Sequence, residues 1–159
     1  ISIASIMQDF KFTFVSSSSK LDSCKLTNVE IIKGDWSNGK FNDFFIKDIY
    51  EESDLVILPL INSYQPSGQS VALQAMSMEK PVMISKTKGF WSDKDFQHNL
   101  NIIFINSWDS LIWKNSILYY FENYKLIDNI STNSCKLVYE KYNLEYFNKQ
   151  LIKDLGLLG

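Results

Sequence analysis

The sequence predicts an α/β domain with an open parallel β-sheet and helices on both of its faces. Short apolar runs of strand length alternate with longer segments in which apolar residues recur every three to four positions. Strands separated by helix-length segments favour parallel βαβ units over hairpins. The 159 residues, 45% of them hydrophobic, are enough for one packed core. We therefore expect a single domain over residues 1–159.

Five segments are predicted to be strands. The first is centred on Phe10, Phe12 and Phe14, which alternate with other residues at strand period. The others are Val29–Ile32, Leu55–Leu58, Pro81–Ile84 and Ile102–Ile105. The run at Leu55–Leu58 is wholly apolar, as is typical of a strand covered on both faces, so we expect it to be the most buried strand.

Helical spacing occupies the segments between these strands. It is found at Phe41–Tyr50 and again in the mostly apolar stretch Val71–Met78. Closing helices are predicted over residues 109–155, and Gly156 ends the last of them. Two apolar series, each expected to share one helix face, mark this region: Leu111, Leu118 and Phe121, then Leu144, Phe147, Leu151 and Leu155.

Composition excludes several classes of protein. The net charge of −2, from 16 basic and 18 acidic residues, provides no field to attract a phosphate backbone, so no nucleic-acid partner is expected. No apolar run approaches the roughly 20 residues of a membrane-spanning helix. Cys24 and Cys135 lack CxxC spacing and are interpreted as free thiols. His98, the single histidine, has no partner for a metal site or a triad and is expected on the surface.

The segment Leu60–Gly68 and the helix that follows it carry the functional signal. In open α/β sheets, ligands bind at the carboxyl ends of strands, beside the next helix N-terminus. Gly68 allows close approach to the backbone, and the first-turn amides favour an anion. Ser70 and Gln74 are four residues apart and share one helix face. Two interpretations stay open: an anion-binding turn, or an ordinary loop followed by a serine N-cap.

Two stretches, Ser53–Pro59 and Gln65–Ser85, resemble the donor-binding half of retaining GT-B glycosyltransferases of group 1, family 4. That family has a strand ending near proline, a Gly-rich turn, a helix with EAMA, and then GKPVIA; this chain has QPSGQSVALQAMSMEKPVMIS. Val29–Gly34 matches the family's short strand ending in glycine, and the helical tail matches its closing helices. The resemblance covers nearly the whole chain and implies the Rossmann-like C-terminal half of a GT-B fold.

The resemblance implies a binding site for a nucleotide-diphosphate-sugar donor. Gly68, Gln69 and Ser70 match the turn whose amides hold the diphosphate, and Gln74 falls on a glutamate that contacts the ribose. An amide keeps the hydrogen-bonding reach of that glutamate but loses its charge. The family's other glutamate has no clear match, because it falls on Pro66 or, with one inserted residue, on Gln65.

Further residues are less well defined by the resemblance. Ser67 lies in the same turn as Gly68, and Trp36 lies in the loop near which the family places the nucleobase. Trp36 either stacks on a base or covers the core. Lys86 and Lys88, after the fourth strand, either meet phosphate or are solvated.

The resemblance also indicates what this chain lacks. Nothing matches the family's basic loop after the first strand of the domain, and Ile1–Met7 looks like the end of the helix that follows that strand. We therefore expect an N-terminally truncated domain whose sheet, in the family order 3-2-1-4-5-6, either has a gap at strand 1 or has the two strands beside that gap closed on each other. The acceptor-binding N-terminal domain of the same polypeptide is missing too, so the catalytic residues are unknown. The isolated chain is expected to be poorly stable and inactive.

The implied parent protein transfers a hexose-type sugar from the donor to an acceptor, without a cofactor or a metal. We expect it in the cytoplasm, with any attachment to the inner membrane face made through the missing part. A non-catalytic nucleotide- or carbohydrate-binding module on the same fold is the alternative, motivated by the missing glutamate charge. A receiver-like or flavodoxin-like domain is disfavoured, because Asp54 begins its strand instead of ending it.

Overall fold

The computed structural model describes residues 1–34 and 41–156. The chain divides into two compact units, one of residues 1–49 and 107–119 and one of residues 50–106 and 120–159. Parallel strands and helices make up both units. Each unit is described by itself.

The first unit contains a two-stranded parallel ladder. Its elements are α1 (Ser2–Ser5), β1 (Phe12–Ser16), a 3₁₀ turn (Ser19–Leu21), β2 (Val29–Lys33), most of α2 (Asp43–Glu51) and the start of α4 (Ser110–Glu122). Phe12 lies opposite Val29, and Ser16 lies opposite Lys33.

The turn before β1 is held by one side chain. Asn28 Nδ2 donates to the carbonyl oxygens of Ala4, Met7 and Phe10 at 3.0, 2.9 and 3.1 Å. The Phe10 amide donates to Met7 O at 3.2 Å. Phe10 therefore belongs to this turn, and the strand begins two residues later than the phenylalanine alternation predicts.

The second unit contains a three-stranded parallel sheet in the order β3-β4-β5. Its strands are β3 (Val56–Leu58), β4 (Val82–Ser85) and β5 (Ile103–Ile105), with α3 (Gln69–Ser77) between the first two. The end of α4, then α5 (Tyr124–Lys141) and α6 (Leu144–Asp154), complete the unit. The predicted closing helices over residues 109–155 are thus three separate helices.

The most buried strand is β4, not the wholly apolar segment at Leu55–Leu58. Val82, Met83 and Ile84 are 0% exposed, because β4 is the central strand and is paired on both edges. All three residues of β3 are only partly buried. The expectation for Leu55–Leu58 was wrong, since an apolar run does not reveal whether its strand lies at an edge.

The apolar series of the closing helices are not the side chains that the structure buries most. In α4 the buried aromatic and aliphatic residues are Trp113, Ile117 and Tyr120, whereas Leu111 is 56% exposed. In α6 the apolar series is exposed, with Leu144 at 74% and Phe147 at 59%. Periodicity identifies residues that share a face, but it does not identify which face another element covers.

The described strands form two hydrogen-bonded groups, β1-β2 and β3-β4-β5. If strand 1 is removed from the family order 3-2-1-4-5-6, one pair of strands and one group of three strands remain. The described strands have this pairing. Within the described ranges, no helix is both long and apolar enough to cross a membrane.

Candidate functional site

The carboxyl ends of the three parallel strands in the second unit lie at one edge of the sheet. Strands β3, β4 and β5 end at Leu58, Ser85 and Ile105. The buried Ser85 accepts a hydrogen bond at Oγ from the Leu60 amide, at 3.0 Å. The loop after β3 is thereby attached to the end of the central strand, and it leads directly to Gly68.

Gly68 is the N-cap of α3 and has a left-handed backbone, with φ 75° and ψ −1°. Its carbonyl accepts the first helical hydrogen bond, from the Ala72 amide at 2.9 Å. An added Cβ would lie 3.0 Å from Leu60 Cδ1. Glycine is favoured here because L side chains rarely adopt this φ, whereas the Leu60 methyl group would have to move by only a few tenths of an ångström.

The first turn of α3 is open to a ligand. The N-cap is Gly68 and not a serine, so the interpretation of this turn as a serine cap is wrong. Among the described residues, no side chain caps the helix, and its first turn contains no acidic residue. Backbone N–H groups at a helix start carry partial positive charge and attract anions. The turn therefore has the chemistry of an anion cradle, with Gln69 and Ser70 exposed beside it.

Gln74 lies one turn further along the same helix, and its amide is already engaged. The Tyr50 hydroxyl donates to Gln74 Oε1 and to the Val71 carbonyl, each at 3.3 Å. Burial raises the pKa of Tyr50, so its hydroxyl stays protonated at neutral pH. Tyr50 could not be predicted from the sequence as a partner of Gln74, because no local spacing relates a residue of α2 to a residue of α3.

The structure brings most of the predicted binding residues to one helix and the loop before it. Gly68, Gln69, Ser70 and Gln74 belong to α3 and its cap. Gln65 and Ser67 are exposed in the preceding loop, where Ser67 Oγ donates to Gln65 O at 3.5 Å. Trp36, predicted near a base, lies outside the described residues.

A second loop is fixed against this one. The Gly89 amide donates to Ser63 O at 2.7 Å, and the Lys88 amide donates to Asn62 Oδ1 at 3.1 Å. A Cβ on Gly89 would lie 2.3 Å from Tyr64 O. The loop after β4 therefore holds the loop after β3 in place by backbone contact.

The two lysines of that second loop differ in how they are engaged. Lys86 forms an ion pair with Asp93, and its ammonium lies 4.5 and 4.3 Å from the ring centroids of Phe90 and Phe104. Lys88 is exposed, and its ammonium lies 3.4 Å from the Tyr64 hydroxyl. Lys86 thus has a structural role, and Lys88 is the more accessible cation.

The aromatic residues near Lys86 form a cluster instead of an open stacking platform. Phe90 lies 4.1 Å from Trp91 and 5.7 Å from Phe96 between ring centroids. His98 is exposed, as expected, but its Nδ1 accepts a hydrogen bond from the Phe104 amide at 3.0 Å. These side chains support the loop and are not counted among the binding residues.

Two cavities lined by described residues lie elsewhere. One of about 560 Å³ lies at the amino ends of β3 and β4, among residues that include Asp54, Glu79 and Lys80. Another, of about 340 Å³, lies beside Asn28 in the first unit. Neither of these cavities includes the turn at Gly68, whose first-turn amides offer a specific chemistry for an anion. Across residues 1–34 and 41–156, no three His, Cys, Asp or Glu side chains are grouped to hold a metal ion. Cys24 and Cys135 are free thiols.

The chain is similar to a curated protein described as an uncharacterised glycosyltransferase of Methanocaldococcus jannaschii. The two are 29% identical over 116 residues, which is 72% of this chain and 28% of that protein. The chain thus spans less than a third of the length of this relative. No family model matches the chain.

Solved structures share the fold. A sucrose-phosphate synthase from Thermosynechococcus elongatus aligns over 98% of this chain and 42% of its own, with a TM-score of 0.71 and 15% identity. The Anabaena protein HepE in complex with UDP-glucose covers 98% of this chain and 52% of its own, with a TM-score of 0.63 and 19% identity. The C-terminal domain of a group 1 glycosyl transferase (LpcC) from Francisella tularensis aligns over 79% of this chain and 60% of its own, with a TM-score of 0.59 and 21% identity.

These comparisons confirm the fold class and the resemblance. The chain has the Rossmann-like fold of the C-terminal half of GT-B glycosyltransferases, and group 1 proteins are among those it resembles.

Proposed function

We propose that this chain, with the fold of the C-terminal half of GT-B glycosyltransferases, is the donor-binding domain of a glycosyltransferase. The observation that carries the proposal is the turn at Gly68, an uncapped helix start at the carboxyl edge of the sheet. The similarity to HepE, solved with UDP-glucose, and to the M. jannaschii glycosyltransferase supports a nucleotide-sugar ligand. The sugar in this proposal is of hexose type.

In this proposal the amides at Gly68, Gln69 and Ser70 hold the diphosphate of the donor. Preorganised N–H groups and the helix dipole stabilise the negative charge that grows on the diphosphate as it leaves. Gln74 contacts the ribose, while Gln65 and Ser67 face the sugar side. Trp36 is proposed to lie near the base. The acceptor is held by an N-terminal domain of the same polypeptide, and the basic groups that complete charge neutralisation come from the loop after the first strand of the donor-binding domain, which has no match in this chain.

The reaction in this proposal uses no metal and no cofactor. Donor binding then rests on backbone amides and neutral side chains, and EDTA leaves the transferase rate of the full-length protein unchanged. A loss of rate in EDTA that Mg²⁺ or Mn²⁺ restores would contradict this part of the proposal.

Nucleotide binding by the full-length protein tests the proposal. We expect micromolar binding of one of UDP, GDP and ADP, measured by calorimetry. Gly68→Val should abolish it, because a β-branched residue is strained at φ 75° and meets Leu60. Gln74→Ala should weaken it without abolishing it. If a well-folded protein binds none of the three diphosphates, the donor-site assignment is wrong.

A non-catalytic binding module on the same fold is the second candidate. It is favoured by the neutral Gln74 at a position where the resembling family has a glutamate. Hydrolysis or transfer of the sugar from the bound donor separates the two candidates. Tight nucleotide binding with no turnover on any acceptor would favour the module.

A further inference from the structure

Tyr50, a residue of the second unit, contacts the helix that carries the proposed donor site. It lies in the last turn of α2 and is 9% exposed. Its hydroxyl lies 3.3 Å from both the Val71 carbonyl oxygen and Gln74 Oε1. A hydroxyl has one proton, so the two acceptors share it. The contact therefore joins a buried side chain to one of the predicted binding residues.

This contact leaves the other half of the Gln74 amide available. A glutamine amide has a carbonyl oxygen that accepts and an NH₂ group that donates. With Oε1 engaged by Tyr50, Nε2 occupies the second branch of the amide, and it makes no hydrogen bond to another described residue. Gln74 is exposed as a whole, so this NH₂ group is accessible to a ligand.

We propose that Tyr50 is a positioning residue for the donor nucleotide: it fixes the Gln74 amide so that Nε2 donates to a ribose hydroxyl oxygen. The inference rests on the proposed function. A long side chain that is already held in place loses less conformational entropy on binding than a free one. Tyr50 itself touches no ligand and acts only through Gln74.

The proposal predicts how the site distinguishes ribose from deoxyribose. A site that uses an N–H donor on a hydroxyl binds the analogue lacking that oxygen more weakly, because the donor is left unpaired. The probes are UDP, 2′-deoxy-UDP and 3′-deoxy-UDP, or the matching GDP or ADP series if that base is the one bound. The quantity measured is the ratio of dissociation constants, deoxy over ribo.

The experiment uses the full-length protein with four single variants and one double variant. We expect a ratio of about five to ten for one deoxy analogue in the unaltered protein, the effect of one hydrogen bond. Gln74→Ala should lower this ratio to about one. Tyr50→Phe should lower it about threefold, and Tyr50→Met, which also lacks a donor, should do the same. The double variant Tyr50→Phe with Gln74→Ala should match Gln74→Ala alone, because the two residues act as a unit.

Tyr142→Phe is the matched control. Tyr142 is partly buried in the same unit, and its hydroxyl donates to Asp95 Oδ2 at 3.0 Å, away from Gln74. Removing this hydroxyl should lower the melting temperature and leave the ratio unchanged. A ratio that falls equally in Tyr50→Phe and Tyr142→Phe would show a general loss of structure and overturn the proposal.

Other outcomes separate this inference from the proposed function. If the protein binds a diphosphate and Gln74→Ala keeps the full ratio, Gln74 does not contact the ribose and the positioning role fails, although the donor site stands. If Gln74→Ala lowers the ratio and both Tyr50 variants keep it, Tyr50 has no positioning role. If no diphosphate binds, the proposed function has failed and this inference with it.

Discussion

The backbone of Gly89 lies directly against the carbonyl group of Tyr64. A Cβ at position 89 would be 2.3 Å from Tyr64 O and 2.4 Å from its carbonyl carbon. The Gly89 amide, in turn, donates to Ser63 O at 2.7 Å. The loops after β3 and β4 are thus in backbone contact at the edge of the sheet where Gly68 begins α3.

Gly89→Ala should destabilise the protein and weaken nucleotide binding. The methyl group cannot be accommodated against backbone atoms, so the two loops must separate, at a cost of about 3 kcal/mol. Urea unfolding of the full-length protein measures the loss of stability. Gly156→Ala is the control: it has φ +66° and open space around its Cβ. There only backbone strain acts, about 1 kcal/mol, and nucleotide affinity should not change. Equal effects of the two substitutions would contradict the contact.

Gln74→Glu should strengthen nucleotide binding. A carboxylate loses the Nε2 donor, but its second oxygen accepts a charge-assisted hydrogen bond from the same ribose hydroxyl, which is stronger than the bond an amide makes, and the Tyr50 hydroxyl can still donate to the first oxygen. We expect the dissociation constant for the bound diphosphate to fall about fivefold. Calorimetry with the ribo and deoxy analogues measures the change. A carboxylate that leaves the affinity for both analogues unaltered would argue against a ribose contact at this position.

His98 should make stability depend on pH in the weakly acidic range. Although His98 is exposed as a residue, partial desolvation of its ring lowers the pKa of His98 below its usual 6.5. The unfolded chain then takes up a proton at higher pH than the folded one does. The stabilising contribution is therefore complete above about pH 6.5 and is lost as the pH falls through the lowered folded pKa. The neutral ring is also needed for Nδ1 to accept from the Phe104 amide.

Urea midpoints between pH 5 and pH 8 test this dependence. His98→Asn keeps a hydrogen-bond acceptor but does not titrate, so the midpoint of this variant should vary less over that range. A variant with the same pH dependence as the unaltered protein would place the effect on another group.

Asp95 should stabilise the folded protein at neutral pH and continue to do so as the pH falls, until the pH is strongly acid. Its hydrogen bond with Lys141, and those with Ser92 and Tyr142, outweigh desolvation and hold the pKa of Asp95 below its usual value. The folded pKa is depressed, so the contribution is present above about pH 4 and is lost as the pH falls through the folded value. Asp95→Asn should lower the melting temperature at pH 7 by about 2–4 °C. The two proteins should converge near pH 2, and a difference that persists there would contradict a charge-based role.

The alternation of strands and helices was readable from the sequence because each element has its own apolar period. The segments at Val82–Ile84 and Val71–Ser77 follow the predicted strand and helix closely. Gly68 was also recognisable, as a glycine between an apolar strand and a helix where a ligand can approach the backbone, but its positive φ is known only from the structure. The resemblance added the order of the strands and the type of ligand.

Burial of individual faces depended on the tertiary structure. Local apolarity does not reveal which strand is central, so β4 and not the apolar run at Leu55–Leu58 is fully covered. For the same reason the series beginning at Leu144 and Phe147 is exposed on α6.

By itself, the sequence determined the α/β class, the strand order implied by the resemblance and the turn at Gly68. The tertiary structure alone decided which side chains support that turn. Tyr50 is 24 residues from Gln74, and Gly89 lies against Tyr64 from the loop after the next strand. The carboxyl ends of parallel strands bring such distant segments together at one end of a sheet. The spacing of apolar residues within one segment cannot predict the contacts that the segment makes with another segment there.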